Sequence, residues 1–204
     1  MDVRCGTCKY ELLGCNDYPC SNCDCTKKWE PKNEEPMKIK DSGQRTEFET
    51  GAVRDIQEGK GRCDLLPLDV VAILYARKFG EDNYSVKIFS ELYLFTTSGN
   101  YRFLAEAIAW FVEDRKFQSW PDMLLEVAKH FEEGAKKYGE HNWQKGIPVG
   151  RYLDSGVRHY LKWLRGDTDE PHDRAFCWNM MCAIWTCINK PELNEYKKET
   201  IGNE

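Results

Sequence analysis

The sequence predicts an all-α fold with a small cysteine-rich knuckle ahead of it. Three observations carry the prediction. Between Leu68 and Ile188 the apolar residues recur at helical spacing, and no stretch gives a strong alternating strand signal. The 204 residues are 41% hydrophobic and 13% aromatic, enough for one packed domain and an appendage. Six of the 10 cysteines fall between Cys5 and Cys25, which sets that segment apart.

The cysteine segment comes first. Cys5-x-x-Cys8 is followed by Cys20-x-x-Cys23. Two such pairs turn four thiolates toward one tetrahedral Zn²⁺, and clustered cysteines in a chain without a leader point to metal rather than disulfides. Residues 1–30 are therefore expected to form a structural zinc knuckle whose metal supplies its folding energy. A closed four-cysteine site has no open position for a substrate, so this zinc serves structure or a protein partner. A disulfide-bonded or disordered leader is the other reading. Residues 31–50 are polar and rich in proline and charge, and read as a linker.

Gly51 to Leu66 reads as a glycine-rich loop carrying Arg54, Lys60 and Arg62. Such a loop can cradle phosphate with backbone N–H groups and cations, but there is no GxxxxGK[ST], and a solvated loop reads equally well. Helices follow over 68–79, 85–97 and 101–115, the last two split at Ser98-Gly99-Asn100. Ser119 caps a helix that runs to about Tyr138, with Asp122 three residues on. Two more helices cover 149–165 and 170–188, and Pro191 stops the second. The charged tail, 191–204, is expected to fray.

A net charge of −5 argues against general nucleic-acid binding. No leader and no apolar run of about 18 residues is present, which predicts a cytoplasmic protein without a membrane span.

All four histidines lie between His130 and His172, with acids around them. On the helix from 121 to 138, Leu124, Leu125, Ala128, Phe131 and Ala135 form one apolar face at about 100° per residue. Glu132 stands at its edge, where a carboxylate needs a cation or a donor. That makes Glu132 the first metal-ligand candidate and Glu133 the second, an ion pair with a lysine or arginine being the plain alternative. Beyond them, Lys136, Lys137 and Lys145 offer charge, Asn142 an amide and Trp143 a ring. These suit a nucleotide, or simply complement the helix dipole. On 149–165, Asp154, Arg158, Lys162 and Arg165 share a face that reads as an ion-pair series or a phosphate-binding wall. His159 lies further round. The turn Arg165 to Asp173 holds four acids and one histidine. Asp169 and Glu170 suit a helix start. His172 and Asn179 share an inward face with Phe176 and Ala183. Cys177, Cys182 and Cys187 read as core.

Three strings, GAVRDIQEGKGRCDLLP, FEEGAKKYGEHNWQKGIP and RYLDSGVRHYLKWLRGDTDEPHDRAFCWN, resemble the dATP/dGTP diphosphohydrolase N-terminal domain family of phage and bacteria, related to MazG-like all-α nucleotide pyrophosphohydrolases. The resemblance covers Thr50 to Thr186 and is interrupted over 76–120 by inserted helices. It implies a helical domain over 51–190 that hydrolyses a purine (deoxy)nucleoside triphosphate to monophosphate and pyrophosphate with Mg²⁺ or Mn²⁺. The related enzymes carry ExxE on one helix and ExxD on another, and this chain does not. Glu132, Glu133, His172 and Asp173 are therefore assigned to catalysis, and the same four with Asp169 to the catalytic metal, mainly from their helix faces. Substrate contacts fall to Arg54, Lys60, Arg62, Lys136, Lys137, Asn142, Trp143, Asp154, Arg158, His159, Lys162 and Asn179. A non-catalytic nucleotide-sensing or protein-interaction module is the alternative. An HD-type phosphohydrolase is disfavoured, because no aspartate follows Asp173. Homo-oligomers occur among the related bundles and stay open here.

Overall fold

Six α-helices account for most of the described residues, which are 43–115 and 119–197 of the computed structural model. They are α1 (Leu68–Phe79), α2 (Tyr84–Ser98), α3 (Arg102–Arg115), α4 (Trp120–Tyr138), α5 (Val149–Arg165) and α6 (His172–Asn189). The all-α expectation holds, with each helix close to its expected bounds. Local chemistry explains the ends. Asn83 caps α2 by accepting from the Ser85 N–H at 2.9 Å, and Gly99 closes it at φ 68°. Ser119 caps α4, as its sequence predicts, and accepts from the Asp122 N–H at 3.4 Å. The knuckle expected at Cys5, Cys8, Cys20 and Cys23 lies outside the described residues.

The helix α6 is buried almost all round, because it packs against α3, α4 and α5 together. Its closest partner is α5. At Gly156 a Cβ would fall 2.3 Å from Met180 Cε and 3.3 Å from Asn179 Cβ, so a larger residue would need the Met180 side chain to swing away and the helices to ease apart slightly. The helices of the expected insert are part of the same core. Phe111 of α3 meets Phe176 at 4.8 Å between ring centroids and Tyr160 at 5.8 Å, and Phe89 of α2 meets Tyr160 at 5.3 Å.

Four expectations need correction. Two three-residue strands, β1 (Arg45–Glu47) and β2 (Val53–Asp55), pair antiparallel with Thr46 opposite Arg54. They lie where a linker and a loop were expected, and strands this short carry no readable period. Phe48 packs on the core between them. The tail is also packed as far as Lys197: Tyr196 meets Phe95 at 5.2 Å, and Asn194 donates to the Gly99 carbonyl at 2.9 Å. The inward stripe of α4 is Met123, Val127 and His130, not the row through Leu124 and Leu125, which are 49% and 64% exposed. That rotation carries Glu132 outward and turns Glu133 toward α6.

Candidate functional site

A cleft of about 1040 Å³ is lined by β2 and the loop after it, the C-terminal half of α4 and its following turn, α5, and the start of α6. The turn after α4 holds the strand in place. Asn142 Oδ1 accepts from the Val53 N–H at 2.8 Å, and its Nδ2 donates to the Val53 carbonyl at 2.7 Å. One side chain thus replaces a neighbouring strand. Alternation along β2 then sends Arg54 and Asp55 to different partners. Asp55 accepts from Arg45 at 2.9 Å and from Lys137 and Tyr138 at 2.8 Å each. Arg54 goes to the rings of Tyr152 (4.9 Å) and Trp178 (5.7 Å) and donates to Asn179 Oδ1.

The cations of the cleft fall into two groups. Asp154, 1% exposed, takes Arg158 through both oxygens at 3.0–3.2 Å. It also accepts from Gln57 Nε2 and the Cys63 N–H, each at 2.7 Å. Lys162 reaches Asp169 at 3.1 Å. By contrast, neither Arg54 nor Arg151 has a carboxylate at ion-pair distance among the described residues. Arg151 donates instead to Gln57 Oε1. Burial lowers the pKa of Arg54, of Lys60 and of Arg151, in each case as the leading cause.

Three adjoining side chains of the cleft wall carry buried polar atoms without a hydrogen-bond partner among the described residues: Arg54 Nη1, Trp178 Nε1 and His130 Nδ1. Arg54 and His130 each lie against the Trp178 ring. Two of these atoms are obligate donors, and buried polar groups are normally satisfied. Burial, then Arg174, Arg54 and Lys137, hold the His130 imidazole down at about 3, so it is neutral.

At the far end a hydrogen-bonded chain runs Asp169 Oδ1 to His172 Nε2 (2.8 Å), then His172 Nδ1 to His159 Nδ1 (2.9 Å). Burial first, and the neighbouring His172 second, push His159 well below its usual range. His159, Glu170 and His172 each place one donor atom within 4.8 Å of the others. His159 and Glu170 line the cleft, with Arg158 and Lys162 beside them.

The cleft gathers Arg54, Lys60, Asn142, Trp143, Asp154, Arg158, His159, Lys162 and Asn179 from the sequence-based set. Others lie elsewhere. Glu132 is exposed and paired with the exposed Lys136, which also lowers its pKa, so neither reaches the cleft. Glu133 accepts from Arg174 at 2.7 Å. Arg62 is tied to Asp64 at 2.5–2.7 Å on the surface. Lys137 is spent on Asp55 behind the wall. Asp173 accepts from the N–H of Arg174 at the start of α6 and does not line the cleft. The sequence reading missed Arg151, Asp55 and Glu170. Arg151 had a signal, since it stands seven residues before Arg158 on one helical face. Asp55 had none.

Fold and cleft define a mostly helical domain with a cleft that sets Arg54, Lys60, Arg151, Arg158 and Lys162 among aromatic rings and carboxylates. The family model for dATP/dGTP diphosphohydrolase, N-terminal, matches residues 115–196, which span α4, α5 and α6. The resemblance drawn from the sequence is thus shown over that segment; the string beginning at Gly51 lies outside it. Neither the curated proteins nor the solved structures gave a significant match. No helix among the described residues is long and apolar enough to cross a membrane.

Proposed function

We propose that the chain hydrolyses purine deoxynucleoside triphosphates, dATP or dGTP, to the monophosphate and pyrophosphate with the help of a divalent ion. The observation that carries this reading is Arg54 in the wall of the cleft. Among the described residues, Arg54 is a buried guanidinium with no carboxylate partner and one unpartnered nitrogen. Burying such a charge is costly unless an anion meets it, and a polyphosphate chain is an anion of the right kind. The family name points to the same substrate class.

Each wall has a part in this reading. Arg54, held by Asn179 and two rings, is pre-organised and loses little on binding. Arg151 on α5 adds charge, as does Lys60 in the loop after β2, which stands 4.0 Å from Asp55. Arg158 is already neutralised by Asp154, so its role is to hold Gln57, Asp154 and the loop before α1 in register. Phe131, Tyr138 and Trp143 offer apolar faces to a base. Cations placed on the non-bridging oxygens favour the transition state, in which charge spreads over the phosphoryl group. The donor set of His159, Glu170 and His172 fits a divalent ion, which would polarise the phosphoryl group when bound.

The test is to incubate the full-length protein with each dNTP and Mg²⁺ or Mn²⁺ and to quantify pyrophosphate. Release of pyrophosphate from dATP or dGTP is expected. Arg54→Met is expected to weaken nucleotide binding by on the order of 10–100-fold, the worth of a charge-assisted hydrogen bond. Nucleotide binding without turnover under any condition would leave a nucleotide-sensing module in place of the enzyme.

A further inference from the structure

We infer that His159, His172 and Glu170 form a centre for a transition-metal ion such as Mn²⁺, with Asp169 as its positioning residue, and that this centre discriminates against Mg²⁺. The inference rests on the reading of the cleft as a hydrolase site, but it concerns which ion the site takes and what holds it.

The geometry comes from two elements. His159 lies in the middle of α5, Glu170 in the turn just before α6 and His172 at its first residue, so the α5–α6 packing brings the three together. Their donor atoms fall within 4.8 Å of one another, a spacing that one ion can bridge. The two Nδ1 atoms are 2.9 Å apart. Two imidazole nitrogens on a single ion stand about 3 Å apart, given bond lengths of about 2.1 Å. A hydrogen bond spans that gap. One imidazole then carries its proton on Nδ1. Moving that proton to Nε2 exposes the lone pair to a metal with no net proton release.

His172 is 2% exposed, and its Nε2 is fixed by Asp169 at 2.8 Å. That bond places the proton on Nε2 and the lone pair on Nδ1, facing His159. A carboxylate behind a ligating imidazole is the usual outer support of a metal site, and losing it costs 10–100-fold in affinity. Lys162 holds the other Asp169 oxygen at 3.1 Å and so keeps the carboxylate in place.

Ligand chemistry then selects the ion. Mg²⁺ demands oxygen donors and gives up its waters reluctantly. Two imidazoles and one carboxylate favour first-row transition ions, of which Mn²⁺ is the weakest binder in the general order, over Mg²⁺ with its all-oxygen preference. The second acidic grouping nearby, Asp167 with Asp169 and His172, is a weaker centre. Arg165 holds Asp167 through both of its oxygens, and His172 already spends Nε2 on Asp169.

The experiment is a Mn²⁺ titration of the full-length protein without nucleotide, followed by the EPR signal of free Mn²⁺. Thiolates favour softer ions, so the N-terminal cysteines do not compete for Mn²⁺. One Mn²⁺ per chain is expected to bind at this centre. Glu170→Gln and His159→Asn are each expected to weaken it by at least about tenfold, and Asp169→Asn by about tenfold. A roughly hundredfold excess of Mg²⁺ is expected to leave the ion in place. Circular dichroism checks that each variant is folded. Glu170, which is half-buried at the cleft edge, gives the variant that keeps the fold if His159→Asn does not. Absence of Mn²⁺ binding, unchanged affinity in Glu170→Gln, or displacement by equal Mg²⁺ would each overturn the inference. Turnover of a dNTP with Mg²⁺ alone, in a protein that binds no Mn²⁺ here, would sink this centre yet leave the hydrolase reading. Mn²⁺ bound here without turnover of any dNTP would do the reverse.

Discussion

Asp154→Asn replaces one atom in the most heavily used carboxylate of the cleft. The wild-type group is 1% exposed and meets three donors: Arg158 through both oxygens, Gln57 Nε2 at 2.7 Å and the Cys63 N–H at 2.7 Å. Asparagine keeps one acceptor and turns an NH₂ toward donors. The charge of Arg158 then has no partner, because its remaining contact is the Gly61 carbonyl at 3.0 Å. Breaking a buried pair on one side costs about 3–5 kcal/mol. Arg158 is 17% exposed and so partly hydrated, which places the cost near the lower end, at about 3 kcal/mol. For a domain of this size that is a fall in Tm of about 10 °C. Urea unfolding at pH 7 with an unchanged m-value and calorimetry would measure it. A loss below about 1 kcal/mol would refute the reasoning, since it would mean that solvent already screens the pair. Adding Arg158→Met should recover part of the loss, because the double variant leaves no unpaired charge.

Other outcomes follow from the same contacts. His130 has a folded-state value of about 3, below its unfolded value, so its contribution to stability is complete above about pH 6.5 and is lost as pH falls toward 3. The wild type should lose stability in acid with a term of up to about 1.4 kcal/mol per pH unit from this group, and His130→Gln should remove that term in a denaturation series. Gly156→Val would drive a side chain into Met180 and Asn179; a loss of about 1–3 kcal/mol or more is expected in thermal melts, with weaker nucleotide binding because Asn179 holds Arg54. Glu132→Gln should leave both turnover and stability unchanged, and loss of hydrolysis in that variant would restore Glu132 to the site. Asn142→Ala removes both hydrogen bonds to Val53, and a loss of about 2 kcal/mol is expected by urea unfolding.

The helices were legible because their signals are local. Ser119 with Asp122 marked the start of α4, Gly99 marked the break between α2 and α3, and apolar spacing marked the rest. The residues of the cleft were partly legible for the same reason: Arg158, His159 and Lys162 lie close together on α5, whereas Glu170 read only as a helix start. What the sequence by itself determined, then, was six helices and a chemistry-rich stretch from His130 to Asn179. Only the tertiary structure decided which way each face turned. The apolar surface of α4 is broad enough to bury either of two stripes, and its packing on α6 chose Met123, Val127 and His130, which put Glu132 in solvent. Arg54 and Asp55 entered the site through a hairpin too short to show a period, held by an amide 89 positions away. Burial and long-range pairing depend on what meets a face, and that information is absent from the spacing of residues along one helix.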